Sequence, residues 1–375
     1  MRIEPIKIQQ RQDVAMLVKT FEVNRADTSA TRVHEAQIDE SLAPGEVLLA
    51  IDRFALTANN ISYVMAGDML GYWRFFPTED GWGRVPAMGY ADVVASEHDE
   101  IAVGERLWGF YPMGSHLKIQ AGKVSEAGFS DISPHRKDLA PVYARFDRQP
   151  PGVDSHREDL NMLLRGLFMT SWLVEDFIFD GDHYGADQYL ITSASSKTSI
   201  ALAFAVKERG MARSVGLTSP GNIEFVEGLG CYDQVVAYDD VATLDASRAS
   251  VVVDMAGSQS VLANIHNHFT DQLKYSCLIG ATHHEEGGDS SGLPGAAPIF
   301  FFAPSQIEKR VQDWGPTVLF ERLGNALVRF QDFVGPQINV VRRGGSQCLA
   351  KIYGKVLEGR ANPSDGYILS IDEKD

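Results

Sequence analysis

The middle of the chain alternates between short apolar runs and segments with apolar residues at helical spacing. Strands are predicted at Gln188–Ser193, Ser214–Thr218, Gln234–Tyr238, Ser250–Asp254 and Tyr275–Gly280. Helices are predicted at Leu160–Phe179, Ile200–Arg209, Ile223–Gly228 and Gln259–Phe269. Strands that alternate with helices over about 120 residues indicate a parallel, doubly wound sheet with right-handed crossovers. The pattern therefore predicts an α/β fold.

The parts of the chain before and after this segment have a different pattern. Glu46–Ala50 is a short apolar run after a Pro-Gly turn, and Glu105–Tyr111 follows a turn at Gly104. These features predict a β-rich, barrel-like region at the N-terminus. After a predicted loop at Gly287–Gly295, residues Ile307–Phe333 have helical spacing, and the tail returns to strand and turn patterns.

Length and charge narrow the possible partners. The chain has 375 residues, too many for one compact core, and a formal charge of −16 from 34 basic and 50 acidic residues. That charge repels phosphate backbones and anionic lipid, so nucleic acid is not expected as a partner. No apolar run reaches the roughly 20 residues of a membrane helix, and the N-terminus lacks the apolar core of a signal peptide. We expect a cytoplasmic protein without membrane contact, and reduced cysteines.

The turn after the first predicted strand of the parallel sheet is a candidate phosphate site. A strand, a polar turn and a helix N-terminus present free backbone N–H groups and the positive end of a helix dipole. The residues expected to contact phosphate are Ser195, Ser196, Lys197 and Thr198. The glycines of a G-x-G-x-x-G motif are absent, and a Walker A motif is also incomplete. A capped helix that binds nothing is the alternative interpretation.

The second predicted strand bears on the choice of nucleotide. In sheets that prefer NAD, an acidic residue at the end of this strand binds the ribose hydroxyls. No acidic residue occurs between Ser214 and Asn222, where Thr218, Ser219 and Asn222 provide hydroxyl and amide groups. This loop leaves room for a 2′-phosphate, which Lys197 is predicted to reach. NADP(H) is therefore the expected cofactor.

Several segments resemble the medium-chain dehydrogenase/reductase superfamily, in particular its zinc-free quinone-oxidoreductase-like branch. They are Ala43–Leu49, which is similar to its N-terminal strand, Val103–Phe110, similar to its "vGDrVwGf" turn, Leu163–Phe177, similar to the helix that enters the cofactor domain, and Thr192–Gly210 with Leu229–Val236, similar to its fingerprint helix and the "lGad-vi" segment. The chain also resembles an uncharacterised subgroup marked by Trp82-Gly83 and by Phe301–Pro304.

The resemblance implies a fold, a division into domains and a reaction. It implies a β-rich, GroES-like catalytic domain from residues 1–158 and 304–375, wrapped around a Rossmann cofactor-binding domain at 159–303. The implied reaction is hydride transfer between NADP(H) and a small carbonyl, quinone or enone substrate in the cleft between the domains. The chain lacks the cysteine and histidine sets of the zinc enzymes, so we expect no metal. A homodimer is expected from the superfamily's habit of pairing through the cofactor domain.

Candidate catalytic residues come from two sources. The resemblance places four candidate proton donors in segments that face the nicotinamide, namely Tyr63, Tyr72, Tyr111 and His116, although packing is the alternative for each. In a doubly wound sheet, the strand ending at Gly280 delivers Thr282 and His283 to the carboxyl edge, where ligands bind. Gly280 and Thr282 are predicted to contact the cofactor, and His283 is a candidate proton donor or a residue of a solvated loop.

Two other functions remain open at this point. The same fold can support carbon–carbon bond cleavage or isomerisation of a carbonyl compound. A non-catalytic dinucleotide-binding protein would also account for the replaced glycine fingerprint.

Overall fold

The computed structural model describes residues 15–279 and 292–373. The N-terminal part contains β1 (Ala15–Asn24), β2 (Thr31–Asp39), β3 (Glu46–Leu56), α1 (Ala58–Met65), β4 (Trp82–Arg84), β5 (Pro86–Ser96), β6 (Arg106–Pro112), β7 (His116–Ser125), β8 (Gly128–Asp131) and β9 (Arg145–Arg148). The middle contains α2 (Ser155–Asp180), β10 (Gln188–Ile191), α3 (Lys197–Arg209), β11 (Arg213–Thr218), α4 (Ile223–Gly228), β12 (Gln234–Ala237), β13 (Ser250–Asp254), α5 (Gln259–Phe269) and β14 (Leu273–Leu278). The C-terminal part contains β15 (Pro298–Phe300), α6 (Ala303–Trp314), α7 (Pro316–Val334), β16 (Asn339–Gly344), α8 (Ser346–Leu357) and β17 (Asp365–Ser370).

The middle of the chain forms a six-stranded parallel sheet. Its strand order is β12-β11-β10-β13-β14-β15, and every neighbouring pair is parallel. The chain therefore builds outward from β10 in one direction and then outward from β13 in the other, which is the order of doubly wound dinucleotide-binding sheets. The predicted α/β class and the parallel sheet are confirmed.

The N-terminal part is β-rich and barrel-like, as predicted. An eight-stranded sheet has the order β16-β17-β3-β5-β6-β9-β8-β7, and β3 pairs with β7 as well as with β5. This second pairing closes six of the strands into a ring. The last strand, β17, pairs with the C-terminal half of β3, so the tail of the chain joins the β-rich region.

Two helices depart from the predicted bounds for local reasons. The Asp154 carboxylate accepts from the N–H groups of His156 and Arg157 at 2.8 and 3.3 Å, so α2 begins earlier than the apolar spacing suggests. The predicted helix at Ile307–Phe333 is two helices, because Gly315 has φ +80° and Pro316 begins a new helix.

Helix α2 holds the β-rich region against the parallel sheet. Its apolar face joins Leu160, Leu163 and Leu164 to Met88 and Phe110 in one hydrophobic core. At Gly166 the backbone approaches so closely that an added Cβ would lie 2.6 Å from the Met88 sulfur. The positions of α2 and the barrel are therefore fixed by close packing. The proposed domain bounds stay a prediction.

Candidate functional site

At the carboxyl edge of the parallel sheet, the strand order reverses between β10 and β13, and we call the space between the loops after these strands the crevice. These neighbouring strands lead into connections that run to opposite sides of the sheet. Ligands of doubly wound sheets bind where the strand order reverses in this way. A binding site is therefore expected at the loops that follow the two strands.

The loop after β10 is held in place by two tyrosines. Ser193 has φ +52°, a conformation that favours glycine, and its N–H donates to the Tyr238 hydroxyl at 2.9 Å. The Tyr232 hydroxyl donates to the Ala194 carbonyl at 2.9 Å. Gly216 leaves room for this arrangement, since a Cβ there would lie 2.9 Å from the Tyr232 ring. Side-chain hydrogen bonds thus support the turn where the family uses glycine, and the sequence analysis missed both tyrosines.

A buried threonine links the two loops across the crevice. The Thr192 hydroxyl donates to the Asp254 carboxylate at 2.6 Å and accepts from the Met255 N–H at 2.8 Å. Asp254 also accepts from the Ala256 N–H at 3.1 Å. Both Thr192 and Asp254 are buried, so these bonds fix the separation of the loops.

The helix that follows the turn presents unpaired N–H groups. Ser196 is the N-cap of α3, and its hydroxyl accepts from the Ser199 N–H at 3.2 Å. The N–H groups of Lys197 and Thr198 precede the first intrahelical bonds and have no other partner among the described residues. Together with the helix dipole, they form a site that can bind an anion.

The Lys197 side chain does not have the predicted direction. Its ammonium group donates to the carbonyls of Asp365 and Pro363 at 2.9 and 3.4 Å, in the segment that leads into β17. It therefore ties α3 to the β-rich region and has no hydrogen bond to the loop after β11. The assignment of Lys197 to a 2′-phosphate is corrected accordingly, because the ammonium is already paired with carbonyls elsewhere.

The free energy of unfolding should depend on pH because of the Lys197 amine. Burial lowers the pKa of Lys197 from 10.5 to about 8, with Asp365 opposing the change. Between these values the unfolded lysine is protonated and the folded one is not, so the free energy of unfolding should rise with pH across this window. We expect Lys197→Met to lose this rise. Urea unfolding at pH 7.5 and 9.5 measures it, and an unchanged slope in the variant would show that other groups cause the rise.

Of the other residues predicted to contact the cofactor, some lie at this edge of the sheet and others do not. The Asn222 side-chain amide donates to the Ser195 hydroxyl at 3.1 Å, so the loops after β10 and β11 meet. Ser219 is exposed at the same edge, whereas Thr218 is buried at the end of its strand. Gly280, Thr282 and His283 lie outside the described residues.

A cluster of tyrosines lies on the face of the barrel that packs toward α2. The Tyr63 ring lies 4.6 Å from the Tyr72 ring and 6.3 Å from the Tyr143 ring, measured between centroids. The hydroxyls of Tyr72 and Tyr143 are 3.5 Å apart, and Phe110 packs against both Tyr63 and Tyr143. We call Tyr63, Tyr72 and Tyr143 the tyrosine cluster. The sequence does not indicate that Tyr143 belongs to this cluster, because it lies 80 residues from Tyr63 and no local pattern connects the two.

The hydroxyls of the tyrosine cluster are expected to stay protonated at neutral pH. Burial raises the pKa of Tyr63, Tyr72 and Tyr143 above the ordinary phenol value, and Tyr143 contributes further to the rise at the other two. Tyr72 and Tyr143 are half-buried. The cluster can therefore donate hydrogen bonds or a proton to a ligand oxygen.

Two predicted catalytic residues lie elsewhere. Tyr111 is fully buried in the barrel core, stacks near Phe146, and donates to the Leu107 carbonyl at 3.0 Å. Tyr111 is therefore a packing residue of the barrel core. This position corrects the catalytic role that the resemblance implied for it. His116 is half-buried at the start of β7, 3.1 Å from the Ser115 hydroxyl, and burial lowers its pKa. It is not part of the tyrosine cluster.

Within residues 15–279 and 292–373, no three His, Cys, Asp or Glu side chains converge as a metal site, and no helix is long and apolar enough to cross a membrane. Independence from zinc stays a prediction.

A surface depression is lined by Arg106, Pro150 and Glu158 at the N-terminus of α2. It is about 20 Å along that helix from Ser171, which contacts Thr198 at the start of α3. The depression is therefore separate from the crevice.

Comparison with known proteins identifies the family. Residues 54–362 match the family described as "Protein of unknown function (DUF2855)", and the chain belongs to it. No curated protein matches the chain in sequence.

Solved structures with the same fold are distant in sequence. CurA from Vibrio vulnificus in complex with NADPH is 13% identical, with a TM-score of 0.59 over 95% of this chain and 100% of that chain. The CurK enoyl reductase is 14% identical, with a TM-score of 0.55 over 94% and 99% of the two chains. The yhdH oxidoreductase from Salmonella enterica in complex with NADP is 12% identical, with a TM-score of 0.51 over 95% and 100%. The chain shares the fold of these solved structures, as the sequence resemblance predicts.

Proposed function

We propose that this chain is an NADP(H)-dependent oxidoreductase that transfers hydride to or from a small carbonyl, quinone or enone. The observation that carries the proposal is the anion site at the N-terminus of α3, placed at the point where the strand order of the parallel sheet reverses. The complexes of CurA with NADPH and of yhdH with NADP support the choice of nucleotide.

The residues at the crevice fit a dinucleotide. The free N–H groups of Lys197 and Thr198 and the hydroxyl of Ser195 would hold the pyrophosphate. The exposed Ser219 and the Asn222 amide would lie near the adenosine ribose. No acidic residue occupies residues 214–222, which favours a 2′-phosphate over a free hydroxyl. We assign the parallel sheet to a Rossmann domain and the barrel to a GroES-like domain on this basis.

The tyrosine cluster would provide the polar part of the chemistry. A bound nicotinamide supplies or accepts the hydride. Reduction of a carbonyl or enone places negative charge on oxygen, and a protonated phenol at Tyr143 or Tyr63 can donate to that oxygen. The surrounding Phe75 and Phe110 rings exclude water from this site. No metal ligand is required for these steps, and a homodimer and a cytoplasmic location complete the proposal.

Two rival functions make different predictions. A carbon–carbon lyase or isomerase on this fold would act on its substrate without consuming NADPH. A non-catalytic dinucleotide-binding protein would bind NADPH and turn over nothing.

The direct test is titration of NADPH and NADH fluorescence with the purified full chain. We expect NADPH to bind more tightly, and equal or weaker binding than NADH would contradict the cofactor assignment. Turnover of 2-cyclohexenone with deuterium-labelled NADPH then separates hydride transfer from the two rival functions. Carbon-bound deuterium in the product identifies hydride transfer, while NADPH binding without it contradicts the oxidoreductase.

The role of the tyrosine cluster predicts a matched pair of variants. Tyr143→Phe should lower turnover by roughly 10²-fold while leaving NADPH affinity unchanged, because general acid catalysis contributes about this factor. Tyr111→Phe removes a hydroxyl of the same kind that bonds only to the Leu107 carbonyl in the barrel core, so it should leave turnover unchanged. Steady-state kinetics with the enone measures both. Equal effects in the two variants would assign the loss to packing.

A further inference from the structure

One buried arginine near the tyrosine cluster lacks partners for most of its donors. Arg136 is 7% exposed, and neither of its terminal nitrogens, Nη1 and Nη2, has a hydrogen-bond partner among residues 15–279 and 292–373. An unpaired buried polar group destabilises the folded state, and a charged one does so more strongly. Such a group calls for an explanation, because buried polar groups in proteins are nearly always paired.

The guanidinium is held so that one edge is free. Its Nε donates to the Asp131 carboxylate at 3.0 Å, and the other carboxylate oxygen of Asp131 is bonded to the N–H and hydroxyl of Ser133. Asp131 therefore takes only the inner nitrogen and leaves the outer edge without an acceptor. The planar outer edge of a guanidinium matches the two oxygens of a carboxylate.

Aromatic rings surround this free edge and connect it to the tyrosine cluster. The Arg136 guanidinium lies 4.7 Å from the Phe76 ring centroid and 5.6 Å from that of Phe75. The Phe75 ring in turn lies 4.8 Å from the Tyr143 ring. On the far side of the cluster, the indole N–H of Trp108 is also buried without a partner among the described residues, next to Phe110.

We propose that Arg136 binds the carboxylate of an aromatic or α,β-unsaturated carboxylic acid, whose apolar body lies along the Phe75 and Tyr143 rings. The free groups in this region are donors, so the ligand has to supply acceptors. The Asp131 carboxylate already balances part of the arginine's charge, which favours a singly charged carboxylate over a phosphate dianion. Tyr72 and Tyr143 are half-buried, so we propose that the acid approaches Arg136 from their side.

The inference names the substrate class of the proposed oxidoreductase and rests on that function only for the chemical step. Anchored at Arg136, a conjugated acid would extend its double bond toward the hydroxyls of the tyrosine cluster. Arg136 is then a specificity-determining residue, since it selects acids over neutral enones.

The experiment measures binding of cinnamate, sorbate and methyl cinnamate to the full chain by calorimetry, without nucleotide. We expect the acids to bind at least tenfold more tightly than the ester, because a charge-assisted hydrogen bond contributes about one to two decades in affinity. Arg136→Gln should lose this preference, and Arg136→Lys should keep part of it. The matched control is Arg148→Gln, since Arg148 also lies over a phenylalanine, Phe129, but has its nitrogens paired with Glu105 and with carbonyls.

Each outcome decides the inference. Absence of acid binding to the wild-type chain, equal binding of acid and ester, or unchanged acid binding in Arg136→Gln would overturn it. If Arg136→Gln does not fold, the comparison of acid with ester in the wild type and in Arg136→Lys decides. NADPH affinity, measured separately, should be the same in all variants. Acid binding through Arg136 in a chain that binds no NADPH would refute the proposed function and leave this inference standing.

Discussion

Asp159→Asn should lower the free energy of unfolding by about 1.5–3 kcal/mol, the contribution of hydrogen bonds to a buried charged group. Asp159 is fully buried near the N-terminus of α2, where it pairs with Arg53 of β3 at 3.1 Å and with Arg342 of β16 at 2.5 Å. Arg53 also pairs with Glu158 at 2.6 Å, and Glu158 pairs with Arg106 of β6 at 2.5 Å. The substitution leaves two arginines short of a partner at the junction of α2 and the barrel.

A second ion pair of α2, which joins Arg157 of this helix to Asp332 of α7, provides a matched control. Asp332 pairs with Arg157 of α2 at 2.9 Å, but its side chain is 60% exposed, so Asp332→Asn should change the free energy of unfolding little. Urea unfolding followed by tryptophan fluorescence measures both variants. Similar small losses in the two would mean that packing at α2, and not the ion cluster, holds the barrel in place. Because α2 and the barrel both border the proposed cleft, loosening the junction between them should also weaken substrate binding.

The sequence was sufficient to predict the fold because the central strands of the parallel sheet are buried. β10 and β13 are buried at every position and have short apolar runs bounded by polar residues, so periodicity and turn signals locate them without tertiary information. The Gly315-Pro316 break between α6 and α7 was also visible in the sequence, but apolar spacing continues through it. The spacing led to one helix where the glycine and proline impose two.

The site was less predictable because its side chains meet across long stretches of chain. The position of the phosphate turn follows from a local strand, turn and helix pattern. Its support by Tyr238 depends on a residue 45 positions away, and that of Lys197 by the Asp365 carbonyl on one 168 positions away. No local pattern encodes the direction of the Lys197 side chain or the meeting of Tyr143 with Tyr63. The identification of these contacts needs the folded arrangement of the barrel and sheet.

The anion site at α3 predicts that Ser196→Asp strongly weakens NADPH binding without harming the fold. Aspartate caps a helix as well as serine does, and a negative charge at a helix N-terminus is favourable, so thermal stability should be unchanged or slightly higher. The same charge would face the pyrophosphate. At a separation of about 5 Å and an effective dielectric constant of about 20, two unit charges repel by about 3 kcal/mol. This energy corresponds to a loss of affinity of about 100-fold.

Ser196→Asn is the matched control, because asparagine caps the helix equally well and carries no charge. Its NADPH affinity should stay within a few-fold of the wild type. Fluorescence titration at low and high salt completes the test, since screening should recover part of the lost affinity in Ser196→Asp and none in Ser196→Asn. If Ser196→Asp binds NADPH normally, the phosphates do not lie at the N-terminus of α3. If both variants lose binding alike, the serine hydroxyl itself is a ligand and charge is not the cause.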